Sequence, residues 1–181
     1  MTEQLSATDW LDQGLRTLAR SGFTALKAEP LAKAMGVSRG SFYWHFADIG
    51  AYRAAILTHW REVTAEQVIA ELETVPKGGD ALALLLRRAF SARLALERAV
   101  RSWATVDPAA RAAVHAIDQR RIGYIETLLR QAGFSDAVAR GRAQIFYWAF
   151  IGFTLSDQPL PKPRQQAALD ELLRMARRSP S

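Results

Sequence analysis

Apolar side chains recur three and four residues apart through nearly all of this 181-residue chain, and that regularity constrains its fold more than any other feature. The spacing is that of helices with one buried stripe, whereas the alternation a half-buried strand requires is scarce. Ala, Leu and Arg, all good helix formers, fill the stretches between Gly and Pro. The expected fold class is all-α, with about nine helices.

Local signals place the boundaries. Ser6 or Thr8 caps a first helix that buries Leu11, Leu15 and Leu18 and ends at Ser21-Gly22. A second begins near Lys27 and stops at Gly36, with Pro30 tolerated in the first turn and Leu31, Ala34 and Met35 on its apolar side. Ser38 caps a short third helix reaching about Phe46, with Phe42 and Phe46 on its inward face. A fourth, over about 49–73, carries Tyr52, Ile56, Trp60, Val63 and Gln67 along one stripe. The 74–80 stretch, with Pro76 and the Gly78-Gly79 pair, reads as a linker. Further helices are expected at roughly 80–92, 94–105, 108–132, 136–156 and 164–178. The chain thus divides into an N-terminal three-helix domain, with a helix-turn-helix, at 1–48 and a C-terminal helical domain at 49–181.

A net charge of +6 invites nucleic acid as a partner, but residues 1–50 hold five basic and five acidic side chains and balance to zero. The case for DNA rests instead on geometry in the passage from Leu31 to Phe46. Two helices meeting at a steep angle need a small residue where their backbones approach, supplied by Ala32, and a residue tolerant of positive φ at the turn, supplied by Gly36. Val37 plugs the corner, and Ser38 opens the next helix at an end suited to a phosphate. Outside the inward face lie Arg39, Gly40, Ser41, Tyr43, Trp44 and His45. Arg39 reaches a guanine edge or a phosphate, Gly40 permits close approach, and Ser41, Tyr43 and His45 offer donors to phosphate oxygens. Trp44 suits a sugar or a thymine methyl, although an ordinary helical corner would place Phe42, Phe46 and Trp44 alike in the core. Tyr43 and His45, as phosphate contacts, should act on all DNA equally, and Arg39 on sequence preference as well.

Gly36-Val37-Ser38 followed by Ser41-Phe42-Tyr43-Trp44-His45-Phe46 resembles the signature of the tetracycline-repressor (TetR) family, and the resemblance spans about residues 8–60. It implies a homodimer whose third helices enter successive major grooves of a near-palindromic double-stranded DNA operator. It also implies dimerisation through the last two long helices, here 136–156 and 164–178. The apolar surface of Ile145, Phe146, Ala149, Phe150, Gly152 and Phe153 and the stripe of Leu169, Leu172, Leu173 and Ala176 agree with that. The chain departs from the family where many members carry a phosphate-binding lysine at the start of the fourth helix. Ala47-Asp48-Ile49-Gly50 stands there, which should weaken backbone affinity, so that operator binding is modest or leans on Arg39, Lys27 and His45.

The resemblance further makes 49–181 a regulatory and dimerisation domain, with a cavity whose small-molecule effector is coupled to DNA binding. Trp60, Phe90, Trp103 and His115 are candidates to line it, with Tyr124, Phe146, Tyr147 and Phe150, although aromatic residues at helical spacing fill interiors by default. Enzyme signatures are missing. The chain has no cysteine, its only histidines are His45, His59 and His115, and Asp107, Asp118 and Glu126 do not stack as paired acids on one face. No catalytic residue, metal or cofactor is expected. Without a secretory leader or a membrane-length apolar run, a cytoplasmic location follows. The resulting expectation is a DNA-binding regulator, a repressor released by an effector; the alternative is a helical dimeric ligand-binding protein that has lost specific DNA binding.

Overall fold

The computed structural model describes residues 5–76, 80–91, 94–157 and 160–177, and among these the chain is helical without strands. In order come α1 (Ala7–Ser21), a 3-10 turn (Phe23–Ala25), α2 (Ala28–Ala34), α3 (Arg39–Tyr43) and α4 (Ile49–Arg61). A π-helical turn (Glu62–Glu66) leads into α5 (Gln67–Glu73), followed by α6 (Ala81–Ser91), α7 (Ala95–Ala104), α8 (Pro108–Gln131), α9 (Asp136–Leu155) and α10 (Lys162–Met175). The all-α expectation holds, and counting α4 and α5 as one interrupted helix gives the nine expected. Lys77, Gly78 and Gly79 of the expected linker lie outside the described residues, as do Gln158 and Pro159 of the Pro-rich stretch and the helix ends expected at Ala92 and Arg178. Among the described residues no helix is long and apolar enough to cross a membrane.

Contacts separate two compact units, Met1–Thr64 with Leu94–Ala116, and Ala65–Arg93 with Ile117–Ser181. In the first, α1 opens with a reciprocal cap. The Asp9 amide donates to Ser6 Oγ at 3.2 Å, and the Ser6 amide donates to Asp9 Oδ2 at 2.8 Å. The side-chain bond from Ser6, then its backbone bond, hold the Asp9 carboxyl below its ordinary pKa. Leu15 and Leu18 are buried as expected, but Trp10, fully buried, takes the core place next to them and Leu11 is only half-buried. Trp10 meets Phe42 edge to face at 5.4 Å, a contact of about 0.5–1.5 kcal/mol beyond its area. The Tyr52 hydroxyl donates to the Trp10 carbonyl at 2.7 Å, so α4 is fastened to α1 through a fully buried phenol. Gly14 makes that approach possible, because a Cβ there would lie 2.2 Å from the Tyr52 oxygen. His59 on α4 lies 2.7 Å from Asp12 on α1, and α7 packs along α1, with Trp103 stacked on Phe23 at 5.7 Å.

The fourth stripe departs from expectation. Tyr52, Ile56 and Trp60 are buried four apart, but the next buried positions are Ala65, Ile69 and Leu72, while Val63 is half-buried and Gln67 exposed. The step of five from Trp60 to Ala65 is the π turn, whose extra residue shifts the buried face.

In the second unit the core comprises Ile69, Leu72, Leu82, Leu86, Leu129, Phe146, Leu172 and Leu173 among others. α6 packs against α5, α9 and α10. The α10 stripe therefore serves this core, with Leu172, Leu173 and Ala176 buried and Leu169 half-buried against it. Apart from Pro163, the exposed residues of α10 are polar or alanine. Arg130 joins α8 to α9 by bonding Glu126 at 2.9 Å and Asp136 at 2.8 Å.

Candidate nucleic-acid interface

The corner between α2 and α3 is built by its hydrogen bonds. Gly36 adopts φ 70°, its amide donates to the Lys33 carbonyl at 3.2 Å, and the Val37 amide donates to the Ala32 carbonyl at 3.0 Å. This pair of bonds satisfies the last carbonyls of α2 and turns the chain sharply, at a φ that favours glycine. Leu31 and Ala32 are buried beneath the turn.

Ser38 stands at the N-cap position with extended backbone, but its hydroxyl makes no capping bond, contrary to expectation. The Ser41 amide, which a capping hydroxyl would bind, reaches the Ser38 carbonyl at 3.0 Å instead. α3 itself is shorter than expected and closes at Tyr43; bonds from the His45 and Phe46 amides to the Phe42 carbonyl, both 3.1 Å, keep the turn wound through Phe46. Phe42 is fully buried against Trp10, Phe46 and Tyr52, and it anchors one side of the short helix.

With that side fixed, the others point outward. Arg39 and Gly40 are exposed, Tyr43 is 47% exposed, and Trp44 is 85% exposed, so Trp44 is not a core residue. Ser41 and His45 are half-buried, whereas Ser38 and Lys27, which precede α3 and α2, are exposed. One contact within this set was not read from the sequence, although its i, i+4 spacing could have shown it. Arg39 Nη2 donates to the Tyr43 hydroxyl at 3.1 Å, with the guanidinium carbon 5.5 Å from the ring centroid. That bond raises the Arg39 pKa above its already high ordinary value.

At the start of α4, the Asp48 carboxylate accepts from the Ala51 amide at 2.7 Å and caps the helix. A negative charge thus occupies the first-turn donors at the place where the sequence lacks the expected lysine.

The aromatic residues considered for an effector are divided. Tyr124, Phe146 and Tyr147 are buried in the second unit, with Phe90 and Phe150 packed against them. The Tyr147 hydroxyl donates to Asp118 there, and Arg121 lies 5.7 Å from the Phe150 ring centroid. Trp60 and Trp103 belong to the core of the first unit, and His115 is exposed in that unit.

Residues 11–51 match the family model for bacterial regulatory proteins of the tetR family. No curated protein sequence matches the chain. Among solved structures, E. coli NemR in its reduced form is similar with a TM-score of 0.78 at 18% identity, over 97% of this chain and 99% of that one. A regulator from Saccharomonospora viridis in complex with choline has a TM-score of 0.72 at 16% identity, covering 93% and 95%. The multidrug binding protein EbrR complexed with malachite green has a TM-score of 0.64 at 20% identity, covering 93% and 96%. The resemblance read from Gly36 to Phe46 is therefore sound: residues 11–51 match the N-terminal model of the tetR family, and the chain shares the all-helical fold of these solved structures.

Proposed function

We propose that this protein is a sequence-specific DNA-binding transcriptional regulator, a homodimer that represses until a small-molecule effector releases it. The observation that carries the reading is the outward side of α3, where Arg39, Gly40, Tyr43 and Trp44 are exposed together while Phe42 locks the helix from behind. A guanidinium, an open backbone and a phenol side by side suit a major groove better than solvent. In this proposal residues 1–48 are the reading head, with Lys27, Ser38, Ser41 and His45 against the backbone, and 49–181 hold the effector and the second copy. The test is fluorescence anisotropy with labelled DNA from upstream of the gene, titrated with salt and scrambled competitor. A saturable complex of one dimer per site that survives competitor supports the reading; binding abolished by competitor sinks it.

The second copy is assigned to α9. Val138, Gly141, Ile145, Trp148, Gly152 and Leu155 are all exposed and follow one another at alternating spacings of three and four. A Cβ on Gly141 or Gly152 would meet nothing within 4 Å, so no packing within the chain calls for these mid-helix glycines, which each cost about 1 kcal/mol relative to Ala. The seam reads the same in both directions. A twofold axis between positions 146 and 147 sets Ile145 on the partner's Trp148, Gly141 on the partner's Gly152 and Val138 on the partner's Leu155. Glycine opposite glycine allows close approach, and α10 lends its outward polar side.

For the effector, the aromatic group of Tyr124, Phe146 and Tyr147 in the second unit is the proposed location. The choline and malachite green held by two similar structures support a small organic molecule. Asp48 favours the rival reading, a ligand-binding dimer without specific DNA binding, because a capping carboxylate repels the phosphate a lysine would hold. The anisotropy titration separates the two.

A further inference from the structure

We infer that Arg39 and Tyr43 act as one reading element, in which Tyr43 holds the Arg39 guanidinium for the major-groove edge of a guanine in each half of the operator. This rests on the DNA-binding reading and adds the base that is read and the residue that positions its reader.

The two side chains stand four apart on the outward side of α3, joined by the 3.1 Å bond from Arg39 Nη2 to Tyr43 Oη. The guanidinium carbon also lies 5.5 Å from the Tyr43 ring centroid, so two contacts fix its direction. An unrestrained arginine on an exposed helix samples many rotamers, and fixing it before DNA arrives lowers the entropy lost on binding. The bond occupies one of the five guanidinium N–H groups. The remainder still present the planar fork that matches guanine O6 and N7, an arrangement no other base edge offers. The partner group is oriented in turn. Because the Tyr43 oxygen accepts from Arg39, its own proton points elsewhere and is free to meet a phosphate oxygen. Gly40 completes the arrangement. A Cβ there would meet only Ser38 Oγ at 3.6 Å, an ordinary contact, so the fold does not require glycine, while a bare backbone beside Arg39 lets the groove come close. Tyr43 is thus a positioning residue for Arg39 as well as a phosphate contact, which amends the expectation that it acts on all DNA alike.

The experiment selects binding sites from randomised duplex DNA with the full-length wild type, Arg39→Ala, Arg39→Lys, Tyr43→Phe and the Arg39→Ala/Tyr43→Phe pair, with far-UV circular dichroism confirming that each folds. Wild type is expected to enrich a guanine at one position per half-site, and exchanging that pair for adenine·thymine to weaken it by about ten- to a hundredfold. Arg39→Lys keeps the charge without the fork, so it should hold non-specific affinity and lose the preference. Tyr43→Phe should shrink the penalty at that position alone, and the pair should discriminate no less than Arg39→Ala, because there is nothing left to position. Tyr43→Phe with an unchanged guanine penalty overturns the coupling, and Arg39→Ala that still enriches the guanine overturns the assignment of the reader. Enrichment of no site by wild type instead rejects the DNA-binding reading, and this inference with it.

Discussion

Gly14→Ala tests the closest approach in the first unit. A Cβ at this position would stand 2.2 Å from the Tyr52 hydroxyl oxygen and 2.3 Å from Ile56 Cδ1. Comfortable contact needs about 3.5 Å, so each neighbour would have to retreat by more than about 1 Å. Neither has room, because Tyr52 and Ile56 are both fully buried, and Tyr52 is also tied to the Trp10 carbonyl at 2.7 Å. Alanine would favour the helix by about 1 kcal/mol over glycine. Against that stand overpacking, about 1–3 kcal/mol, and the disturbed buried hydrogen bond, a further 1–3 or so. The net expectation is a loss of about 3 kcal/mol, read as a lower urea midpoint at unchanged slope with tryptophan fluorescence as the probe. Gly123→Ala is the control, since a Cβ there meets nothing within 4 Å; it should be neutral or stabilise by up to about 1 kcal/mol. Ile56→Val, which removes Cδ1, should restore part of the loss in the Gly14→Ala background. Gly14→Ala as stable as wild type would refute the α1–α4 contact as described.

Phe42→Ala should cost about 3–5 kcal/mol in the same urea assay and abolish DNA binding, because Phe42 joins α3 to both Trp10 and Tyr52. Burial raises the Tyr52 phenol pKa above its ordinary value, so above about pH 10 the unfolded chain releases a proton that the folded one keeps and stability falls with rising pH; Tyr52→Phe should flatten that alkaline decline in pH-dependent melts. Asp48→Asn keeps an oxygen for the Ala51 amide but removes the charge, so anisotropy should show tighter DNA binding at low salt and no difference at high salt. Trp148→Glu, at a side chain 65% exposed, should leave helicity intact and convert the proposed dimer to monomer in sedimentation velocity.

Helix positions were legible because Gly, Pro and capping residues punctuate the chain: α9 was expected at 136–156 and spans Asp136–Leu155, and α8 was expected at 108–132 and spans Pro108–Gln131. The helix-turn-helix corner was legible for the same reason, since Gly36 performs a backbone task few other residues can. The π turn was not. It carries no residue that announces it, and its effect, moving the buried face from Val63 and Gln67 to Ala65 and Ile69, is a tertiary outcome. The α10 stripe shows a second limit, since periodicity finds an apolar side but not what covers it, and Leu172 and Leu173 turned out to serve their own unit. The partners of Asp48 and Tyr52 needed coordinates as well, for one caps a helix and the other reaches across 42 positions of sequence.

The five tryptophans give the molecule a set of built-in optical reporters. Trp10, Trp60 and Trp103 are shielded, at no more than 1% exposure, whereas on the single chain Trp44 is 85% exposed and Trp148 65% exposed. Their emission will separate into a blue-shifted component that iodide does not reach and a red-shifted one that it quenches. Of this pair, Trp44 sits on the side of α3 proposed for DNA and Trp148 in the centre of the proposed α9 seam, where a second copy would cover it. In a Trp148→Phe background the quenchable light therefore belongs to Trp44 and reports the approach of a duplex. In a Trp44→Phe background it belongs to Trp148 and should appear only as the proposed dimer is diluted apart, so both associations are open to measurement without a dye.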